Sequence, residues 1–394
     1  MSRLKKLPVF RIALLLAALL FIIVLGFAFT GHIASAGPFA IAGFLALALG
    51  CRGYELTRGL TYTVVIFAAV TTALYYPQYF QVWGSFKLAT LITPLIQVIM
   101  FGMGTSMGLK DFAGVIKTPK GVVIGVCSHF IIMPLIGFTL AKLSGLPPEI
   151  AAGIILIGCS PNGLASNVIS YLAKANLALS ITITAVSTLL APFVTPFLMK
   201  WLAGAFVHIN AISMMGDIIK MVIIPIGAGI IFNRLFGGTT GHGEAGAPAT
   251  GRRKAIWLDK AMPLVSMSGI ACIIVIITAA GRNSLLTIGP LLVVFVLLHN
   301  LSGYALGYWT GRLFRMDERD CRTMAIEVGM QNGGLASGLA KEMGKMATVG
   351  LAPAIFGPLM NVTGSILASW WHRKPPKDPS PTQPVTAEAV SAVG

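Results

Sequence analysis

The chain is 394 residues long, 56% apolar and only 11% charged, whereas a soluble domain carries about 25% charged residues. Such a composition excludes a single water-soluble core and makes lipid the main solvent. Its net charge of +16 would suggest nucleic acid in a soluble protein, but here the bases mark cytoplasmic loops and no nucleic-acid partner is expected.

Apolar runs of about 20 residues recur along the chain, the length of a membrane-crossing helix; barrel strands would be roughly ten alternating residues. Twelve spans are expected, at 11–30, 37–51, 60–80, 87–109, 120–142, 149–174, 176–203, 211–235, 257–280, 285–312, 321–343 and 348–372. The first, Ile12 to Phe29 after Arg3, Lys5, Lys6 and Arg11, looks like a signal peptide. Its length and lack of a small-residue cleavage site favour an anchor. The second is short enough to be re-entrant. With the N-terminus inside, 22 of the 29 Lys and Arg lie on the inner side, six lie outside and Lys220 falls within a span. This asymmetry supports twelve true crossings of an inner (plasma) membrane, with both termini cytoplasmic.

Two of the runs are interrupted by matching strings. Ser160-Pro161-Asn162-Gly163-Leu164-Ala165-Ser166-Asn167 and Gln331-Asn332-Gly333-Gly334-Leu335-Ala336-Ser337 share Gly-Leu-Ala-Ser, at an offset of 337 − 166 = 171. Pro94-Leu95 matches Pro263-Leu264, 264 − 95 = 169, and His129 matches His299, 299 − 129 = 170. The repeat unit holds five spans, and an odd number inverts its second copy. The expected fold is an all-α polytopic membrane protein: two inverted five-helix repeats with two crossed discontinuous helices, plus an N-terminal two-helix hairpin over 1–58. The Gly-rich segment 236–256 reads as a cytoplasmic linker, and the Pro-rich 375–394 as a disordered cytoplasmic tail.

Glu327 is the informative acid, because it lies inside a span just before the second break. An ionisable group at membrane depth is costly and marks a functional position. A hard cation needs oxygen ligands and charge to offset its desolvation. Ser166 and Asn167 open the half-helix after the first break, and Ser180 and Thr184 share one face of the next span. Taken together, these five residues suggest a cation site. The breaks also expose helix N-termini that suit an anion, around Asn162, Gly163 and Leu164 at the first and Gly333 and Gly334 at the second. Asp217 and Lys220 read as a local pair. The five cysteines, Cys51, Cys127, Cys159, Cys272 and Cys321, lack metal spacing and read as packing residues. No nucleophile triad, phosphate loop, transition-metal set or cofactor motif is found.

At these residues the chain resembles the bile acid:sodium symporter family. The matching strings are Gly158-Cys159-Ser160-Pro161-Asn162-Gly163-Leu164-Ala165-Ser166-Asn167-Val168 and Glu327-Val328-Gly329-Met330-Gln331-Asn332, within about residues 60–372. Supporting stretches are Phe101-Gly102-Met103-Gly104, Met133-Pro134 and Ser187-Thr188. The resemblance implies a ten-helix body of two domains: a panel (60–118 and 206–283) and a core (119–205 and 284–374). It implies one sodium site at Ser166, Asn167, Ser180, Thr184 and Glu327. A second would use Gln331, Glu327 and backbone at Val328 and Met330, with organic anion near Asn332. The family's second site normally includes a glutamine before a Met-Pro step; here His129 holds that position, so the site is weakened, altered or proton-linked. Leu164 stands where bacterial relatives often carry threonine.

The function expected is sodium-coupled symport of a small organic anion, bile-acid-like, pantoate-like or a 2-oxo acid. Sodium and lipid are the remaining partners, sodium is the only ion required, and the oligomeric state stays open. A proton-coupled or sodium-independent carrier is the alternative. A membrane receptor or an intramembrane enzyme comes further behind.

Overall fold

The computed structural model describes residues 8–54, 57, 59–106, 119–236 and 256–376. Nearly all of the expected linker 236–256 and tail 375–394 lies outside these residues, as do Arg3, Lys5 and Lys6. A helix or pair of half-helices occupies each of the twelve expected spans. In chain order they are α1 (Pro8–Phe29), α2 (Gly37–Arg52), α3 (Thr61–Tyr75), α4 (Ile92–Ser106), α5 (Pro119–Leu143), α6 (Pro148–Cys159), α7 (Ala165–Leu172), α8 (Leu177–Leu198), α9 (Ala211–Ile218), α10 (Ile224–Phe236), α11 (Ile256–Ala280), α12 (Arg282–Leu313), α13 (Glu318–Gly329), α14 (Gly333–Glu342) and α15 (Leu351–His372). Eight helical segments among the described residues are long and apolar enough to cross a membrane. The short second span is one of them, because a 3-10 turn at Ile33–Ala36 extends α2 to 20 residues.

Two local features depart from the expected pattern. A two-residue ribbon, β1 (Val82–Trp83) with β2 (Phe86–Lys87), fills the link between α3 and α4 and turns at Gly84 with φ +61°. π-helical turns follow α8 at Met199–Ala203 and join α9 to α10 at Ile219–Ile223. The second π turn opens at Ile219, between Asp217 and Lys220. Among the described residues no contact within 4 Å joins them, though the Lys220 charge still acts on the Asp217 carboxylate. Instead, Asp217 lines a cavity of about 190 Å³ with His208, Asn210, Ser213 and Glu342.

Packing sorts the helices by depth. Helix α6 is buried on every side, with Ile154, Ile155, Leu156 and Ile157 inaccessible; such a helix belongs at the centre of a bundle. By contrast α1 turns Ile12, Leu15, Leu19, Ile22 and Leu25 outward and packs on α2, which in turn rests on α3. Helix α4 packs against α10 and α11. The approach of α4 and α10 is nearly backbone to backbone: a Cβ on Gly229 would lie 2.8 Å from Thr105 N. Around α6 gather α5 and α15, and α12 packs along α13, α5 and α15. At one end of this group Thr348 Oγ1 donates to Glu149 Oε2 at 2.6 Å, and Lys345 reaches the other carboxylate oxygen. Glu149 opens α6, so this contact ties the two broken spans at the ends away from their breaks.

Candidate functional site

The two breaks follow from local chemistry. Proline disfavours the α region for the residue before it, and Ser160 is extended at φ −78°, ψ 151°, ending α6 ahead of Pro161. On the other span Met330 is extended at φ −106°, ψ 123° after Gly329. The two extended pieces meet. Asn332 N donates to Pro161 O at 2.8 Å, and Asn162 and Gln331 form an isolated antiparallel bridge. Gly163 permits the approach, since a Cβ there would stand 3.1 Å from Gln331 O. Gly333 plays a similar part beside Pro353 O.

The half-helices leaving the crossing start differently. Asn332 caps α14, its Oδ1 accepting from Leu335 N at 3.0 Å. Helix α7 has no side-chain cap. Its first amides turn back within the break, Ser166 N to Gly163 O at 3.0 Å and Asn167 N to Leu164 O at 3.2 Å. Asn162, Gly163, Leu164, Asn332, Gly333 and Gly334 therefore gather at one place, partly committed to holding the breaks open.

Five predicted cation ligands also come together. Glu327 is fully buried on α13. Ser180 Oγ donates to its Oε1 at 2.5 Å and Thr184 Oγ1 to its Oε2 at 2.9 Å. Asn167 Oδ1 lies 2.9 Å from Ser180 Oγ and 3.4 Å from Thr184 Oγ1. Ser166 Oγ lies 3.3 Å from Thr184 Oγ1. This cluster joins α7, α8 and α13. No basic side chain is hydrogen-bonded to the Glu327 carboxylate among the described residues, so hydroxyls alone face its oxygens. Ser170 belongs with them, its Oγ 3.0 Å from Ser180 Oγ. It stands four residues after Ser166, a same-face spacing that the sequence contained.

His129 lies beside the cluster without entering it. Its Nε2 is 2.9 Å from Ser160 O, and its Nδ1 is 3.1 Å from Glu327 O and 3.2 Å from Asn162 Nδ2. Asn162 also donates to Glu327 O. A ring with its single proton on Nε2 donates to Ser160 and accepts from Asn162. Gln331 Nε2 donates to Val328 O at 2.8 Å. Val328 and Met330 are fully buried. The amide oxygens Asn162 Oδ1 and Gln331 Oε1 are buried without a partner, and unpaired buried acceptors are costly. His299, matched to His129 by its sequence offset, instead binds Met133 O at 2.9 Å and packs edge-on to Phe356. Asn300 was not anticipated. It is buried and donates to Gly329 O at 2.9 Å, at the end of α13.

Comparison with known proteins identifies the chain's relatives. Residues 93–288 match the model of the Sodium Bile acid symporter family. The chain is 38% identical over 317 residues to the uncharacterized sodium-dependent transporter YocS of Bacillus subtilis (strain 168), an alignment covering 80% of this chain and 92% of that protein. The chain belongs to the sodium bile acid symporter family. This member is also 31% identical to a probable sodium/metabolite cotransporter, BASS1, chloroplastic, of Arabidopsis thaliana, over 72% of this chain and 67% of the relative. It is 30% identical to the ileal sodium/bile acid cotransporter of Oryctolagus cuniculus, over 64% of this chain and 69% of the relative. The family and these relatives are transporters rather than enzymes, and this member is a multi-pass membrane transporter.

Proposed function

We propose that this family member is a sodium-coupled symporter of a small organic anion. The observation that carries the reading is the closed set of oxygens around Glu327, with Ser180 Oγ at 2.5 Å and Thr184 Oγ1 at 2.9 Å. A buried carboxylate faced only by hydroxyls is suited to a desolvated monovalent cation, which supplies the charge that the site lacks. Sodium would bind through Ser166, Asn167, Ser180, Thr184 and Glu327. Gln331, Val328 and Met330, with His129 at their side, are the candidates for a second position. Substrate carboxylate would lie at the crossing, near Asn162, Gly163, Leu164, Asn332, Gly333 and Gly334.

The transport cycle we propose uses two domains. Helices α3, α4 and α9 to α11 form the panel, and α5 to α8 with α12 to α15 form the core; the five-span units are inverted relative to each other. Sodium would draw α7, α8 and α13 together and so fix the crossing against which substrate binds. Rocking of core against panel would then change access. Each net charge moved inward adds about 2.3 kcal/mol per 100 mV of membrane potential. The base distribution supports an inner-membrane protein with cytoplasmic termini.

The test is uptake into proteoliposomes with an inward sodium gradient, against potassium and choline controls. The substrate set spans bile acids, pantoate-like acids and 2-oxo acids. Sodium-dependent accumulation of an organic anion is expected; equal uptake in all three salts would defeat the reading. The proton-linked alternative rests on His129, whose two ring nitrogens each face a backbone carbonyl oxygen, Ser160 O at 2.9 Å and Glu327 O at 3.1 Å. Uptake driven by a pH gradient without sodium would favour it.

A further inference from the structure

Below the oxygen cluster lies a second polar contact between the same two helices, one turn nearer the start of each. Asn176 is the N-cap of α8, its Oδ1 accepting from Leu179 N at 3.2 Å. Its other polar atoms turn to α13. Its backbone N donates to Thr323 Oγ1 at 2.9 Å and to Arg319 O at 3.3 Å. Its carbonyl receives Thr323 Oγ1 at 3.1 Å, and its Nδ2 donates to Asp320 Oδ1 at 2.8 Å. Thr323 is fully buried.

The register gives this contact its meaning. Asn176 and Ser180 are four apart on α8, and Thr323 and Glu327 are four apart on α13, so each pair shares a helix face. Asn176 with Thr323, and Ser180 with Glu327, are successive rungs between the two helices. The lower rung fixes the axial position of α8 against α13, and that position sets the distance from Ser180 Oγ to Glu327 Oε1. We infer that Asn176 and Thr323 are positioning residues for the cation site, holding the Ser180 and Thr184 hydroxyls on the Glu327 carboxylate without touching the ion. This inference rests on the ion-site reading above. Residues that orient metal ligands typically affect metal affinity about 10–100-fold when removed.

The experiment measures sodium-dependent stabilisation and the half-saturating sodium concentration for uptake in full-length wild type, Thr323→Val, Thr323→Ser, Asn176→Ser and Glu327→Gln. Thr323→Val keeps shape and loses the hydroxyl; Thr323→Ser keeps the hydroxyl. Asn176→Ser keeps a capping oxygen but loses the arm to Asp320. The expected result is a half-saturating sodium concentration raised about tenfold in Thr323→Val and Asn176→Ser. Maximal uptake at saturating sodium and the melting temperature in choline should stay near wild type, and Thr323→Ser should recover sodium affinity. A purely structural role would lower the choline melting temperature and leave sodium affinity alone, which would overturn the inference. If Thr323→Val does not fold, Asn176→Ser decides by the same readout. Loss of the sodium response in Glu327→Gln, with wild-type sodium affinity in the other variants, rejects the positioning role alone. An unchanged sodium response in Glu327→Gln rejects the site and this inference with it.

Discussion

Ser180 and Glu327, 147 residues apart in the chain, are joined by a 2.5 Å hydrogen bond between a buried hydroxyl and a buried carboxylate. Glu327 gains a second hydroxyl from Thr184 and no basic partner among the described residues. A cation is the natural complement, and the first prediction concerns its identity. Sodium, but not potassium or choline at equal ionic strength, should raise the melting temperature. At a sodium concentration 100 times the dissociation constant the gain is about 2.7 kcal/mol. Glu327→Gln should abolish the difference between the salts. A scanning melt in the three chlorides checks both.

Individual ligands can be weighed separately. Ser180→Ala removes a hydrogen bond to a charged group, worth roughly 1.5–3 kcal/mol, so sodium affinity should fall at least about tenfold. Ser187→Ala serves as the control. Its hydroxyl is equally buried but donates to Thr184 O at 3.0 Å, outside the cluster. Sodium titration of uptake by the two variants should separate them; equal behaviour would remove Ser180 from the site.

His129 offers a test of stoichiometry. Its ring lies against Ser160 O and Glu327 O and 3.2 Å from the side-chain nitrogen of Asn162, whose amide oxygen is unpaired. His129→Gln replaces an imidazole with an amide whose oxygen can face a cation. The Hill coefficient for sodium activation of uptake should rise in this variant. No change would mean that the second position is lost for reasons beyond this side chain.

Stability away from the site depends on close helix approach. Gly229→Leu forces a side chain into the backbone of α4 at Phe101 and Thr105. Overpacking of this kind costs about 1–3 kcal/mol. A lower melting temperature is expected equally in sodium and in choline, because the contact lies between α4 and α10. A loss seen only in sodium would contradict that assignment.

The parts of this structure legible in the sequence are those with a local cause. Pro161 and the Asn332-Gly333-Gly334 string interrupt helices by their own backbone preferences, so both breaks could be read directly. Glu327 stood out because an acid at membrane depth is rare. The β1–β2 ribbon escaped because two-residue strands have no periodicity. The π turns escaped because an apolar run looks alike in either helix form. The Asn176–Thr323 rung links residues far apart in the chain, and each alone is an ordinary N-cap or a buried threonine. Only the register of α8 on α13 makes them a pair.

The joint between the two halves is written in main chain. Asn332 N reaches Pro161 O, and Asn162 and Gln331 bridge as strands do. A peptide hydrogen bond survives most exchanges of side chain. Exchange of a neighbouring side chain such as Leu164 therefore leaves these main-chain bonds in place.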